Sequence, residues 1–426
     1  MLALCYAWRM VRKKRLFLLG WDGVPPALVF DRFWDCLPNL RRLTDRGVFG
    51  PLDSCWPPIT VPAWAVMFSG NDPGRLGVYG FREPIPRHPQ EFSLIDSTKF
   101  NCQQIWDVVG SAGLKTVLHG VPHTFPPSEV NGWCVSGFLA PNTSSTFTFP
   151  AELSAEVLSI CPQYSLDVDE YRTNDKEGLL KRIYDYTKNH YRLTRYLITS
   201  KDWDFFVDMN VAPDRLHHGF WQNEESMREY YQYLDGELGE LLSLLDEDTA
   251  LMLVSDHGAK AAKGGFLINE WLIDQNYLVL REYPKKMTPW ENLLVDWEKT
   301  TVWAWGGYYA RVFVKPEMSS DFKEELRAKL RDVNGPAGQM WQNQICFPKN
   351  LYKITNGCPP DIMAVFDDLS WRPLASVGYN SFYLDGNDTG SDLAVHDWQG
   401  VALVRGVSLP SKLPDVFFIV KSYFNL

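Results

Sequence analysis

Thr60 stands in Pro57-Pro58-Ile59-Thr60-Val61-Pro62-Ala63-Trp64, a proline-braced turn that opens into an apolar run. Proline in a first helical turn removes an amide that would be unpaired there, so the spacing predicts a helix beginning near Thr60. Backbone N–H groups and the helix dipole favour negative charge at such a place. A hydroxyl there serves either as an N-cap or as a nucleophile, and the turn alone does not decide. Acids and imidazoles elsewhere bear on the choice. Asp22 and Asp256 each follow a short apolar run. Asp214 and His218 are spaced i, i+4, which on a helix puts both on one face and suits two ligands of one metal. His257 follows Asp256 directly, and His396 lies in a Gly/Asp-rich stretch near the C-terminus. Singly these are weak signals, because an Asp after a strand is often a helix cap and a lone His is often structural. Clustered carboxylates, however, repel and are costly to desolvate unless they bind cations. Mixed Asp and His donors suit Zn²⁺, with Mn²⁺ or Fe²⁺ as alternatives. Two metals flanking one hydroxyl would lower its pKa and clamp the attacking and leaving oxygens of a displacement.

The elements that must hold these residues read as α/β. Arg15 to Trp21, Asp204 to Asp208 and Ala250 to Ser255 are short apolar runs, as expected of buried parallel strands, with an acid at or just after each carboxyl end. Open α/β sheets bind ligands at that edge. Leu37 to Arg46 reads as a helix capped by Gly47, Ile105 to Val109 as helical and Leu114 to Leu118 as a strand. Residues 120–165 read mostly as loop. Lys176 to Thr199 and Met227 to Leu245 are helical, the second amphipathic. The expected fold is therefore a mainly parallel sheet with helices on both faces. A change of texture over 266–355, with alternating Tyr309 to Val314 and a charged helix Asp321 to Arg331, predicts a small α+β cap. Asp361 to Phe366 reads as the return to the main sheet, giving a main domain of 15–265 and 356–426.

Bulk composition bounds the function. The chain has 426 residues, 45% hydrophobic and 22% charged, an ordinary globular balance. A net charge of −10 argues against a general nucleic-acid or anionic-membrane surface. No run reaches the roughly 18 apolar residues of a membrane span. Residues 1–14 run apolar first and basic after, the reverse of a secretory signal, and read as a disordered extension or as lying upstream of a start at Met10. The 8 cysteines are scattered without a CxxC, as in a reducing cytoplasm. Nothing in the sequence sets an oligomeric state.

Several motifs, in this order, carry a resemblance: Leu19-Gly20-Trp21-Asp22-Gly23, Pro38-Asn39-Leu40, Pro57 to Trp64, Ser69 to Gly74 with Gly77 to Phe81, Pro213 to His218, Ser255-Asp256-His257-Gly258, and Asn387 to Gly390 with His396. The chain resembles the alkaline phosphatase superfamily in its type I phosphodiesterase/nucleotide pyrophosphatase branch. The resemblance implies an alkaline-phosphatase-like fold and two divalent metals, zinc foremost. It implies that Asp214, His218 and His396 hold one metal, and that Asp22, Asp256 and His257 hold the other, which Thr60 contacts as nucleophile. The implied reaction is attack by the threonine alkoxide, a phospho-threonine intermediate, then hydrolysis by a metal-activated water.

Two departures bear on substrate. Phe81 stands where well-known nucleotide pyrophosphatases carry an Asn that helps hold a phosphoryl oxygen. Trp64 stands where sulfatases of the superfamily carry an Arg, which argues against sulfate esters. With Trp56, Trp64 and Phe81 as an aromatic lining and no Arg in the Thr60 turn, the expected substrate is a small phosphodiester or pyrophosphate, favoured over a monoester. Lys260, Lys263 and Arg311 are cationic residues that could reach in from the cap. The alternatives are a monoesterase, a phosphotransferase or mutase on the same metals, and a non-catalytic binding protein.

Overall fold

The run Leu16-Phe17-Leu18-Leu19-Gly20-Trp21 is buried along its whole length as strand β1 (Leu16–Trp21), the central member of an eight-stranded sheet. The computed structural model describes residues 13–86 and 88–426, so most of the 1–14 extension lies outside the described residues. The other strands of this sheet are β2 (Val48–Asp53), β3 (Thr116–His119), β4 (Gly132–Val135), β5 (Thr148–Phe149), β6 (Phe205–Asn210), β7 (Ala250–Val254) and β14 (Gln399–Arg405). Their order is β2-β14-β7-β1-β6-β3-β4-β5. The five strands from β7 to β4 are parallel, while β14 and β5 join as antiparallel members at either side. Apolar side chains on both strand faces require cover on both sides. Helices α2 (Thr60–Ser69), α3 (Ile105–Ser111) and α9 (Leu413–Tyr423) pack together as one group. Helices α1 (Pro38–Thr44), α5 (Lys176–Ser200), α6 (Ala212–Phe220) and α7 (Glu224–Ser243) form the other. The expected α/β architecture is thus the observed one.

One local expectation is corrected. Helix α1 ends at Asp45 rather than at Gly47. Gly47 is needed instead for a close crossing, since a Cβ there would lie 2.4 Å from the Val404 carbonyl oxygen. Residues 120–165 are mostly loop, as expected, and they also contain β4, β5 and helix α4 (Leu153–Ile160), which short length and flanking Pro, Ser and Thr hide from the sequence pattern.

The cap is built on a second sheet of β9 (Val302–Trp305), β10 (Ala310–Val314), β11 (Gln344–Cys346) and β12 (Ile362–Val365), in the order β9-β10-β12-β11. Helix α8 (Ser320–Arg331) packs against β11. Ile362 to Val365 therefore does not rejoin the main sheet; it pairs antiparallel with β10 and β11. The misreading has a physical cause. Ile362 and Ala364 face the cap core, whereas Met363 and Val365 face a small cluster with Ile59, Tyr79, Tyr308 and Tyr309 at the junction with the main domain. A strand covered on both faces looks the same in sequence whichever sheet it joins. The chain re-enters the main sheet only at β14. Just before it, β13 (Ala394–Asp397) pairs antiparallel with β8 (Gly258–Ala261), opposing His396 to Ala259.

Candidate active site

Three neighbouring parallel strands deliver acids to one edge. Asp22 follows β1 directly, Asp256 follows Ser255 at the end of β7, and β6 leads through Val211 into α6, which carries Asp214 and His218. Ser255 ties two of these ends together: its hydroxyl donates to the His257 carbonyl at 2.8 Å and accepts from the Val24 amide at 2.8 Å. Gly23 has φ +69°, and a Cβ there would stand 3.1 Å from Asp214 Oδ1, so glycine keeps the space between the carboxylates open. Thr60 is the first residue of α2, as the proline-braced turn predicts, and its Oγ1 lies 3.2 Å from His257 Nε2. The β8–β13 pairing brings His396 over His257, with ring centroids 3.7 Å apart.

All seven residues expected to carry the chemistry are therefore in one place. His257 Nε2 is 3.4 Å from Asp22 Oδ1 and 3.3 Å from Asp256 Oδ2. Asp214 Oδ1 is 3.3 Å from His218 Nε2 and 3.6 Å from His396 Nε2. His257 stands between the two groups, since its ligand atom also comes within 4.8 Å of those of Asp214 and His396.

The donor atoms fit divalent cations. Asp22 Oδ1, Asp214 Oδ1, Asp256 Oδ2 and His396 Nε2 are buried and make no hydrogen bond. Buried polar atoms rarely go unsatisfied unless something else engages them. The other ring nitrogens fix the tautomers: Nδ1–H of His396 donates to the Pro58 carbonyl at 2.7 Å, and that of His257 to the Gly258 carbonyl at 2.9 Å. Nδ1 of His218 is 2.6 Å from the Asp392 carboxylate. Each imidazole so presents Nε2 inward, the orientation that outer carboxylates and carbonyls impose on metal-binding histidines. Burial, with Asp256 and Asp214 adding like charge, pushes the Asp22 carboxyl well up, and burial pushes that of Asp256 up to about 6. For Asp214 burial acts in the same sense, but His218, Arg215 and His396 outweigh it and hold the group well below the usual range.

The lining differs from the expected one. Trp64 is fully buried and does not reach the cleft. It stacks on Phe68 at 5.6 Å, fills the space left by Gly20, and places Nε1 3.4 Å from Asp22 Oδ2. It braces a candidate metal ligand rather than touching substrate. Phe81 does line the cleft beside Thr60. So do Arg82, Arg172, Arg215, Arg311 and Arg372, against three acids, Asp167, Glu291 and Asp388. The lining is aromatic, through residues such as Phe81, Tyr171, Trp305 and Tyr308 rather than Trp64, and it is also cationic: of the three candidate cations Arg311 reaches in, and the other guanidinium groups arrive from segments outside the Thr60 turn. Lys260 and Lys263 are spent elsewhere, on Asp368 with Asp397 and on Asp367.

Sequence reasoning missed Asp392, Tyr308 and Arg215. Asp392 accepts from Arg172 and Arg372 as well as His218. Arg215 sits inside a quoted motif and bridges Asp214 to Asp167 at 2.7 and 2.9 Å. His217, one residue before the candidate ligand His218, turns towards the Tyr231 hydroxyl at 2.9 Å. A separate buried cluster joins His119 and His190 to Asp208 Oδ1 at 2.8 and 3.0 Å, with Thr194 donating to the same oxygen. These hydrogen bonds hold the two histidines against β6, and neither lines the cleft.

Residues 16–395 match the family described as type I phosphodiesterase / nucleotide pyrophosphatase. No curated protein sequence matches the chain. Among solved structures, phosphonoacetate hydrolase from Sinorhizobium meliloti 1021, in complex with phosphonoformate, is similar with TM-score 0.67 at 15% identity, covering 96% of both chains. Human ectonucleotide pyrophosphatase / phosphodiesterase 5 is similar with TM-score 0.58 at 14% identity, covering 97% of this chain and 95% of its own. At such identities the likeness is one of fold. With a match spanning most of its length and the site assembled as described, this chain belongs to the type I phosphodiesterase/nucleotide pyrophosphatase family of hydrolases, within the alkaline phosphatase superfamily.

Proposed function

We propose that the protein hydrolyses a phosphodiester or pyrophosphate bond in a small molecule, with Thr60 as the nucleophile and two divalent metals, zinc foremost, as cofactors. The observation that carries this reading is the convergence of unpartnered Asp22, Asp214, Asp256 and His396 atoms on the Thr60 hydroxyl and His257. Asp22, Asp256 and His257 form one ligand set, and Asp214, His218 and His396 the other. Metals bound there supply Lewis-acid stabilisation of charge on the phosphoryl oxygens and lower the pKa of the nucleophile.

The protein's own contribution is placement. Thr60 sits where the α2 dipole favours the developing negative charge, and it is buried except where it borders the cleft. The Thr60 oxygen attacks phosphorus, one P–O bond breaks, and the hydroxyl proton ends on the departing alcohol or phosphate; the other substituent stays on the phosphoryl group, giving an O-substituted phospho-threonine. Water then cleaves that ester and restores the hydroxyl. Asp392 holds the His218 ring, and Trp64 holds Asp22, so neither ligand set depends on loop order alone. The seven described free cysteines support a reducing cytoplasmic location.

The deciding experiment combines elemental analysis of the purified protein with turnover of bis(p-nitrophenyl) phosphate against p-nitrophenyl phosphate. The reading expects about two divalent ions per chain and a higher kcat/KM on the diester. Protein without bound metal, inert on both esters after metal addition, would reject it.

A further inference from the structure

Arg311 is a buried cation without an anion. It lies on β10 in the cap, is 7% exposed, and lines the same cleft as Thr60. Its guanidinium sits over the Trp305 ring at 5.0 Å and donates one N–H to the Arg82 carbonyl. No carboxylate among the described residues pairs with it. The neighbouring arginines are different: Arg215 is bound to Asp167 and Asp214, Arg372 to Asp392, and Arg82 to Glu291. Burial works against the charge on Arg311, and nearby Arg82 adds to the cost. A desolvated guanidinium left unpaired is expensive and would be replaced by an apolar side chain if packing were its only task.

The position says what could pair with it. Three residues earlier, Tyr308 lies on His396 with ring centroids 3.5 Å apart, at the edge of the candidate metal site. Three extended residues span at most about 10 Å, so one small molecule can reach from Thr60 towards the guanidinium. Gly80 borders it, and a Cβ added there would touch Arg311 Nη1 at 3.7 Å, so at this position no side chain covers the guanidinium.

We propose that Arg311 binds a second oxyanion of the substrate, a carboxylate or a phosphate carried on the organic substituent of the scissile ester. This rests on the hydrolase reading above and narrows it to substrates with two anionic groups. Arginine suits that task because its planar fork matches both oxyanions bidentately.

The test uses three p-nitrophenyl phosphodiesters whose second substituent is phenyl, 4-carboxyphenyl or 4-phosphonophenyl. On the metal-loaded wild-type protein, one charged ester or both should exceed the phenyl ester in kcat/KM by about tenfold or more. Whichever is preferred identifies the oxyanion. Arg311→Met should lose about ten times more activity on that ester than on the phenyl ester, and Arg311→Lys should recover part of the difference. Equal losses on all esters, or no wild-type preference for charge, would overturn the proposal. Binding is measured separately by titrating Thr60→Ala protein with phenyl, 4-carboxyphenyl and 4-phosphonophenyl phosphate. If no ester turns over, the hydrolase reading fails, and this titration still decides the anion site. Tighter binding of a charged ligand that Arg311→Met abolishes supports it; equal binding of all three refutes it.

Discussion

Tyr308 of the cap lies flat on His396, ring centroids 3.5 Å apart, and places its hydroxyl 3.0 Å from His218 Nε2. One cap residue therefore touches two candidate ligands of the same metal. The hydroxyl occupies the lone pair that a metal would use, so it competes with the ion. Net, such a hydrogen bond is worth about 1 kcal/mol. Tyr308→Phe keeps the ring on His396 and removes the competitor. It should bind zinc up to about fivefold more tightly, read by competition with a chromophoric chelator. Weaker binding would mean that the hydroxyl supports the site rather than blocking it.

Thr60→Ala should abolish turnover of bis(p-nitrophenyl) phosphate yet retain the fold and most metal, because a threonine hydroxyl is at most a weak ligand. Thr60→Ser should keep activity, since it keeps the oxygen. Mass spectrometry after a rapid acid quench should find a p-nitrophenyl phosphoryl group on Thr60 in the wild type. Alanine-variant activity near wild type would reject covalent catalysis.

His396→Ala and Asp256→Ala should each reduce metal content by about one ion per chain, because each removes a ligand from a different set. Asp392→Asn should act more gently. It leaves the ligand in place but loosens the His218 ring, which typically costs about 10–100-fold in affinity. Elemental analysis after dialysis against a weak chelator separates the three. If all bind metal like wild type, the ligand assignment is wrong.

Most of the site was legible in the chain because its parts are short-range. An acid after an apolar strand and an i, i+4 Asp–His pair need only local geometry, and Asp22, Asp214, His218 and Asp256 are where that geometry puts them. The cleft lining was not legible, because it depends on how the cap sits over the strands. Arg172 and Arg372 come from distant segments, and nothing local marks them as neighbours of Thr60; Arg311 is a candidate in the sequence only as one of three cap cations, and the sequence does not separate it from Lys260 and Lys263. Trp64 misled for a related reason. Its helix is buried on every side, so no polar face in the sequence tells which way the indole points.

The last expectation concerns stability in acid, away from the metal site. His123 is buried among Phe68, Phe100 and Trp106, and its Nε2–H donates to Gln104 Oε1 at 3.2 Å. Burial lowers its pKa to about 3. Burial, with His190 nearby, lowers that of His119 to about 4. Both are thus held neutral in the folded state. Between pH 6.5 and 4 the unfolded chain takes up protons that the folded chain refuses, so stability falls as pH falls. Each group contributes about 1.4 kcal/mol per pH unit well inside that window. Together they can remove roughly 6 kcal/mol by pH 4, which rivals the whole stability of an ordinary domain. His123→Phe fits an aromatic site and removes one of the two titrations. Its stability at neutral pH should drop by about 1–3 kcal/mol, because Gln104 loses its donor. Its slope against pH between 5.5 and 4 should nevertheless be shallower than that of the wild type by about 1.4 kcal/mol per pH unit. Denaturant melts of both proteins in excess chelator, which keeps metal release out of the comparison, give the two slopes. Identical slopes would show that His123 is already protonated when buried, and that its neighbours accommodate the charge.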